Sequence, residues 1–99
     1  GSFDPIYAAS KAALIGFTKS LATSLAPKTR VNTITPGLVQ DSTMYHAMLP
    51  ERRNEHVLES PTGQLVTLEE VAELLVQLTG RAWSNTTGRV ISIGDTPND

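Results

Sequence analysis

The chain has 99 residues, enough for one small domain, and 39% hydrophobic with 18% charged residues is the composition of a soluble globular protein. Its net charge of −2 argues against a surface built for nucleic acid or for an anionic membrane. It has no cysteine, which excludes disulfides and thiolate metal sites and fits a cytoplasmic protein, and no apolar run reaches the length of a transmembrane helix.

The first predicted element is a helix over residues 5–26. Asp4 and Pro5 are a typical helix start, with an acceptor side chain at the N-cap and proline in the first turn, and Pro27 ends the helix. Apolar side chains cover most of its circumference, so we expect the helix to be buried on more than one side. Its main apolar cluster is predicted to consist of Leu14, Phe17, Leu21 and Leu25.

Within this helix, Tyr7 and Lys11 stand at positions i and i+4, which lie on the same helical face. An ammonium near a phenol favours the phenolate and lowers the phenol pKa from about 10, so that a tyrosine can transfer a proton near neutral pH. The same spacing also occurs by chance, as a surface lysine beside a half-buried ring. The residues that follow in the chain favour the catalytic interpretation.

A strand is predicted at residues 30–35, a run rich in β-branched residues that ends at Pro36 and Gly37. Residues 40–66 are the least regular part of the chain. They include the charged run 51–56, which could belong to a functional segment and is at least as typical of a short helix exposed to solvent.

This irregular part of the chain also contains residue types that occur in metal sites and in hydrolytic sites. His46 and His56 have no paired carboxylate at ligand spacing, so we expect no metal site. Ser42, His46 and Asp41 could be assembled on paper into a hydrolytic triad, but nothing around them resembles a nucleophile elbow. We interpret that set as a coincidence.

A second long helix is predicted from a capping box, in which Thr67 is the N-cap and Glu70 the third helical residue. Apolar residues at helical spacing continue it over residues 68–79. A Thr-Gly turn then leads into a final strand at 89–93.

Three motifs in this order resemble the C-terminal half of the short-chain dehydrogenase/reductase family. They are Tyr-x-Ala-Ser-Lys at residues 7–11, Val-Asn-x-x-x-Pro-Gly at 31–37 and Thr-Gly at 87–88. The resemblance covers nearly the whole chain. It implies an α/β fold that is the C-terminal part of a Rossmann-like doubly wound parallel sheet, in the order helix–strand–lid–helix–strand. Residues 1–99 would form the C-terminal half of such a domain, with strands 30–35 and 89–93 parallel and adjacent and with residues 40–66 as the lid over the substrate.

The resemblance also implies a function, which is hydride transfer between NAD or NADP and a small-molecule carbonyl or alcohol. Tyr7 would be the catalytic general acid/base. Lys11 would lower the phenol pKa and hydrogen-bond the nicotinamide ribose, so both residues are expected at the cofactor. Pro36 and Gly37 would form the turn against the nicotinamide, and the backbone of Val39 would meet its carboxamide.

The chain departs from the family pattern at two places. Where the family often has threonine four residues after the glycine, this chain has Asp41, which is unfavourable beside phosphate and suggests a shifted loop. After the last strand, the usual Asp-Gly-Gly is replaced by Gly94-Asp95-Thr96, which changes the expected turn.

The motif that binds a dinucleotide is missing from these residues. The seven glycines are scattered, with no Gly-rich phosphate turn, and the family's catalytic serine would fall before Gly1. We therefore expect that the dinucleotide-binding N-terminal half is absent and that the 99 residues are inactive alone. The alternative is a non-catalytic, oligomerising α/β module derived from such an enzyme. The apolar first helix and an unpaired strand edge favour a homo-oligomer.

Overall fold

The computed structural model describes residues 5–94, so the predicted N-cap Asp4 and the turn residues Asp95 and Thr96 lie outside the described residues. The elements in chain order are α1 (Pro5–Leu25), β1 (Thr33–Pro36), α2 (Thr43–Ala47), α3 (Pro50–Glu59), α4 (Leu68–Leu78) and β2 (Val90–Ile93). A short 3-10 turn (Arg81–Trp83) joins α4 to β2. None of the helices within residues 5–94 is both long enough and apolar enough to cross a lipid bilayer.

The two strands form a parallel pair, as the sequence predicts. Thr33 pairs with Val90, and the register continues to Pro36 opposite Ile93. The first strand starts at Thr33 and not at residue 30. One reason is that Arg89 N–H donates to the Asn32 side-chain oxygen at 3.1 Å instead of to a backbone carbonyl.

Arg30 joins the start of β1 to the connection between α4 and β2. One of its terminal nitrogens donates to the carbonyls of Trp83 and Thr86, at 2.7 and 3.3 Å. The other donates to the carbonyl of Leu78 at 2.9 Å, which is the last residue of α4. A single guanidinium therefore hydrogen-bonds the last carbonyl of α4, the last carbonyl of the 3-10 turn and one carbonyl of the loop before β2. The sequence analysis did not single out Arg30.

Helix α4 begins where the capping box predicts. The Thr67 hydroxyl accepts a hydrogen bond from Glu70 N–H at 3.1 Å. The helix contacts β1 and the 3-10 turn and buries Leu78 at its end.

Helix α1 packs on the sheet through small residues and not through its large apolar ones. Thr18 and Ala22 are its buried residues, whereas Phe17 is 64% and Leu25 40% exposed. Two members of the predicted apolar cluster, Phe17 and Leu25, are therefore not buried within this chain. The reason is that two strands cover only one side of a helix that is apolar almost all round.

Candidate active site

The position of the Tyr7–Lys11 pair follows from how α1 crosses the strands. The Thr18 hydroxyl lies 2.8 Å from that of Thr33. One turn further along α1, Ala22 lies beside Gly88, whose N–H donates to the Val31 carbonyl at 2.7 Å. Because residue numbers fall along α1 as they rise along β1, the helix runs antiparallel to both strands.

This orientation brings Lys11 to the carboxyl ends of the strands. From Thr18 back to Lys11, an α-helix rises about 10 Å. From Thr33 on to Pro36, a strand also advances about 10 Å. These ideal rises put Lys11 about level with Pro36 and Tyr7 about one turn beyond. The ends of parallel strands are where ligands bind in open α/β sheets.

The face of the sheet below this pair carries hydroxyl groups. Thr35 comes two residues after Thr33 in β1, so its side chain points to the same face of the sheet, which is the face on which α1 lies. Its Oγ1 is 2.9 Å from Ser92 Oγ on the neighbouring strand. No local sequence pattern indicates this pair, because it depends on a register between residues far apart in the chain.

The turn after β1 is held against the end of β2. Gly37 N–H donates to the Ile93 carbonyl at 2.8 Å, which continues the ladder one residue past Pro36. Gly94 follows with φ +81°, a left-handed conformation that favours glycine. A Cβ on Gly94 would collide with Val66 Cγ2 and would lie 3.6 Å from Gly37 N. The backbone at Gly94 therefore packs directly against Val66 and Gly37.

Val66 connects the segment before α4 to the segment after the Pro36-Gly37 turn, a contact that was not predicted from the sequence. It is only 3% exposed, pairs with Val39 as a parallel bridge, and accepts a hydrogen bond from Gln40 N–H at 2.8 Å. A buried valine just before a helix cap was the available signal, but nothing local says which chain segment covers it.

The backbone of Val39 has one donor to offer a ligand. In a parallel bridge the hydrogen bonds run through the neighbours of one partner, so the N–H of Val39 points away from Val66. Its carbonyl accepts from Ser42 N–H at 3.2 Å, and its N–H has no hydrogen-bond partner within residues 5–94. The Val39 N–H, two residues after the Pro36-Gly37 turn, is therefore a donor that a ligand could use.

Asp41 takes a left-handed backbone conformation, with φ 63°. Its carboxylate oxygen lies 3.9 Å from His46 Nε2, and both side chains are exposed. That separation is too long for a hydrogen bond. The Ser42 hydroxyl instead caps α2 by accepting from Tyr45 N–H at 3.2 Å. These three side chains therefore do not form a hydrolytic triad.

No group of three or more His, Cys, Asp or Glu side chains that could hold a metal ion occurs within residues 5–94. The chemistry available at the carboxyl end of the sheet is thus that of a phenol, an ammonium, hydroxyls and backbone amides.

Comparison with known proteins gives consistent results. The family described as Enoyl-(Acyl carrier protein) reductase matches residues 2–94. The 3-oxoacyl-(acyl-carrier-protein) reductase FabG of Thermotoga maritima is 42% identical over 89 residues, which cover 88% of this chain and 35% of that protein. The corresponding FabG of Aquifex aeolicus is 38% identical, with coverages of 88% and 35%.

Solved structures show the same partial match. A 3-oxoacyl-(acyl-carrier protein) reductase from Brucella melitensis has a TM-score of 0.79 at 38% identity and covers 90% of this chain and 34% of that one. Another such reductase from that organism, solved with bound NAD, has a TM-score of 0.72 at 38% identity, with coverages of 90% and 32%. The chain thus spans about a third of the length of the relatives it matches.

Proposed function

The chain belongs to the short-chain dehydrogenase/reductase family, and on this premise we propose that its residues carry out proton transfer and nicotinamide contact in an NAD- or NADP-dependent oxidoreductase. The fold class is as predicted, the C-terminal part of a Rossmann-like doubly wound parallel sheet. The proposed reaction interconverts a carbonyl and an alcohol of a small molecule. The observation that supports the proposal is the 2.8 Å contact of Thr18 with Thr33, from which ideal helix and strand rises put Tyr7 and Lys11, one turn apart on α1, near the carboxyl ends of the strands.

We propose Tyr7 as the general acid/base. In the direction of reduction, the Tyr7 hydroxyl would give its proton to the carbonyl oxygen of the substrate, and a bound nicotinamide would provide the hydride for the carbonyl carbon. Tyr7 is 42% exposed in this chain. In the reverse direction, the Tyr7 phenolate takes the proton from the alcohol.

Lys11 has two proposed roles. Its ammonium stabilises the Tyr7 phenolate, since an opposite charge nearby favours the ionised form. It also donates a hydrogen bond to the nicotinamide ribose, a role supported by its position level with Pro36. The cost of losing Lys11 would therefore appear in both turnover and cofactor affinity.

Pro36, Gly37 and Val39 form the proposed seat of the nicotinamide. The Val39 N–H donor suits the carboxamide. Holding the ring in one orientation relative to Tyr7 is a large part of what an enzyme contributes to such a reaction. The Asp41 carboxylate would repel a nearby phosphate. It is exposed and faces His46, so we propose that the pyrophosphate of the cofactor lies on another side of this loop.

We propose a 3-oxoacyl thioester as substrate, because the relatives reported above are named 3-oxoacyl-(acyl-carrier-protein) reductases. The test is an initial-rate assay with acetoacetyl-CoA and NADH or NADPH, on the longest native polypeptide that carries these residues. If neither NADH nor NADPH is oxidised, the result contradicts the proposed function.

Residues 1–99 would then form the C-terminal half of a Rossmann-like domain. We propose that by themselves they bind no dinucleotide, because their sequence holds no Gly-rich turn to receive a pyrophosphate. We also propose a cytoplasmic enzyme, which the lack of cysteine favours.

Assembly into a homo-oligomer is a further part of the proposal. It is supported by the exposed apolar side chains of α1, among them Ile6 at 77% and Phe17 at 64% exposure. The same exposure favours the second candidate function, a non-catalytic oligomerising module. The two candidates differ in the acetoacetyl-CoA assay, which only the enzyme would pass.

A further inference from the structure

The lid segment, residues 40–66, leaves and rejoins the rest of the chain at one place. Val39 and Val66 pair as a bridge, and Gln40 N–H donates to the Val66 carbonyl at 2.8 Å. This closure lies against Gly94, next to the proposed nicotinamide seat. The internal packing of the lid segment therefore determines the shape of the protein surface next to the proposed nicotinamide seat.

Helix α2 is the weak element of the lid segment. With five residues it is not stable in water by itself, because helix nucleation costs more than so few hydrogen bonds return. Ser42 satisfies its first turn by accepting from Tyr45 N–H. At its other end Met48 N–H donates to the Tyr45 carbonyl at 3.2 Å, and the lone pairs that remain on the last carbonyls can accept further donors from outside the helix.

Arg53 on α3 supplies those donors. Its Nε donates to the Tyr45 carbonyl at 2.7 Å and its Nη2 to the His46 carbonyl at 3.3 Å. The guanidinium carbon also lies 4.5 Å from the centroid of the Tyr45 ring, within cation–π range. A planar guanidinium can make all three contacts together, whereas a lysine ammonium is a point donor on a flexible stem.

We propose that Arg53 is a positioning residue, which holds α2 on α3 so that the lid segment forms one rigid wall of the substrate pocket. Its effect on catalysis rests on the proposed function. Its effect on α2 does not, since it follows from the contacts alone. Because Arg53 touches neither the Pro36-Gly37 turn nor Lys11, its loss should weaken substrate binding and leave cofactor binding unchanged.

Arg52 provides a matched control on the same helix. Its side chain is exposed and pairs with Glu55 at 2.7 Å, three residues along α3. Replacing Arg52 or Arg53 by alanine removes one positive charge from the same helix. Only the second replacement removes donors from the end of α2.

The first experiment compares amide hydrogen exchange of residues 43–48 in wild-type protein, Arg53→Ala, Arg53→Lys and Arg52→Ala. The longest native polypeptide that carries these residues is used. We expect about tenfold faster exchange of α2 in Arg53→Ala, the factor typical of losing a charge-assisted hydrogen bond. Arg53→Lys should recover little, Arg52→Ala should match wild type, and α1 should exchange equally in all four. Wild-type exchange of α2 in both Arg53 variants would overturn the proposal.

The second experiment measures steady-state kinetics on the same proteins. Arg53→Ala should raise KM for acetoacetyl-CoA at least about tenfold, as expected when an ordering contact of a closing element is lost. The dissociation constant for the cofactor should stay at the wild-type value. An unchanged KM, or an equal loss of cofactor affinity, would overturn the positioning role. If wild-type protein has no turnover, the proposed function fails, while the exchange comparison still decides whether Arg53 holds α2. Should the alanine variant not fold, Arg53→Lys carries both tests.

Discussion

The hydroxyl of Thr18 in α1 lies 2.8 Å from the hydroxyl of Thr33 in β1, and Thr18 in turn donates to the Leu14 carbonyl at 2.7 Å. Thr18 is 1% exposed, so a polar contact stands at the centre of the helix–sheet interface. This contact sets how far α1 extends past the ends of the strands. By ideal helix and strand rises, it puts Lys11 about level with Pro36 and Tyr7 about one turn beyond.

Thr18→Val should lower the free energy of unfolding by about 1–2 kcal/mol, because the shape is kept while a buried hydrogen bond is lost. Thr18→Ser is the control that keeps the hydroxyl and removes a methyl group. Denaturant unfolding of both variants makes the measurement. If valine were as stable as wild type, the hydroxyl pair would not hold the helix in register.

Tyr7→Phe should reduce kcat at least about a hundredfold, the lower end for the loss of a general acid/base. Cofactor affinity should change little, since the ring remains. Lys11→Ala should lower both kcat and cofactor affinity. Initial rates and cofactor titration separate the two variants. Near-normal turnover of the phenylalanine variant would remove Tyr7 from the mechanism.

Gly94→Ala should destabilise the protein by more than about 1 kcal/mol, since it combines a left-handed backbone with a collision against Val66. Gly63→Ala is a matched control. Gly63 also has a positive φ, +75°, but nothing lies within 4 Å of an added Cβ.

The difference between the two glycine variants therefore isolates the cost of the collision. Thermal or denaturant unfolding gives both values, and Val66→Ala combined with Gly94→Ala should recover part of the loss. Equal destabilisation by the two single variants would show that Val66 moves aside without cost.

Arg30→Ala should cost about 2 kcal/mol or more, because three buried or partly buried carbonyls lose charge-assisted hydrogen bonds. Arg30→Lys should recover only part of this, since one ammonium cannot reach the carbonyls of Leu78, Trp83 and Thr86 together. The control is Arg89→Ala, at an exposed arginine next to the same turn. If the free energies of unfolding of Arg30→Ala and Arg89→Ala were equal, the capping role of Arg30 would be contradicted.

Residues 1–99 should associate in solution, because α1 exposes more apolar surface than two strands can cover. Light scattering should give a mass of at least two chains. Phe17→Ser should shift the protein towards the monomer, whereas Leu58→Ser, at a residue 75% exposed on α3, should not. A folded wild-type monomer with a cooperative melt would defeat this prediction.

Features with a local signal were predicted well from the sequence. Proline placement and apolar periodicity predicted a helix over 5–26, and the structure has Pro5–Leu25. The capping box put the start of α4 at Thr67, where the hydroxyl does accept the expected hydrogen bond. A β-branched run predicted the first strand and the Thr-Gly turn the second, although Asn32 shortens the first. The roles of Tyr7 and Lys11 stay predictions that the variants above test.

What only the tertiary structure decided are relations between residues distant in the chain. A helix that is apolar nearly all round gives no sign that Thr18, and not Phe17, faces the sheet. Arg30 bonds carbonyls 48 to 56 residues away, and Gly94 is shaped by Val66 and Gly37, so no local pattern contains these contacts. Periodicity reports how apolar each side of an element is. Which side is buried, and against what, depends on the free energy of packing the whole set of elements together, and that is a property of the fold.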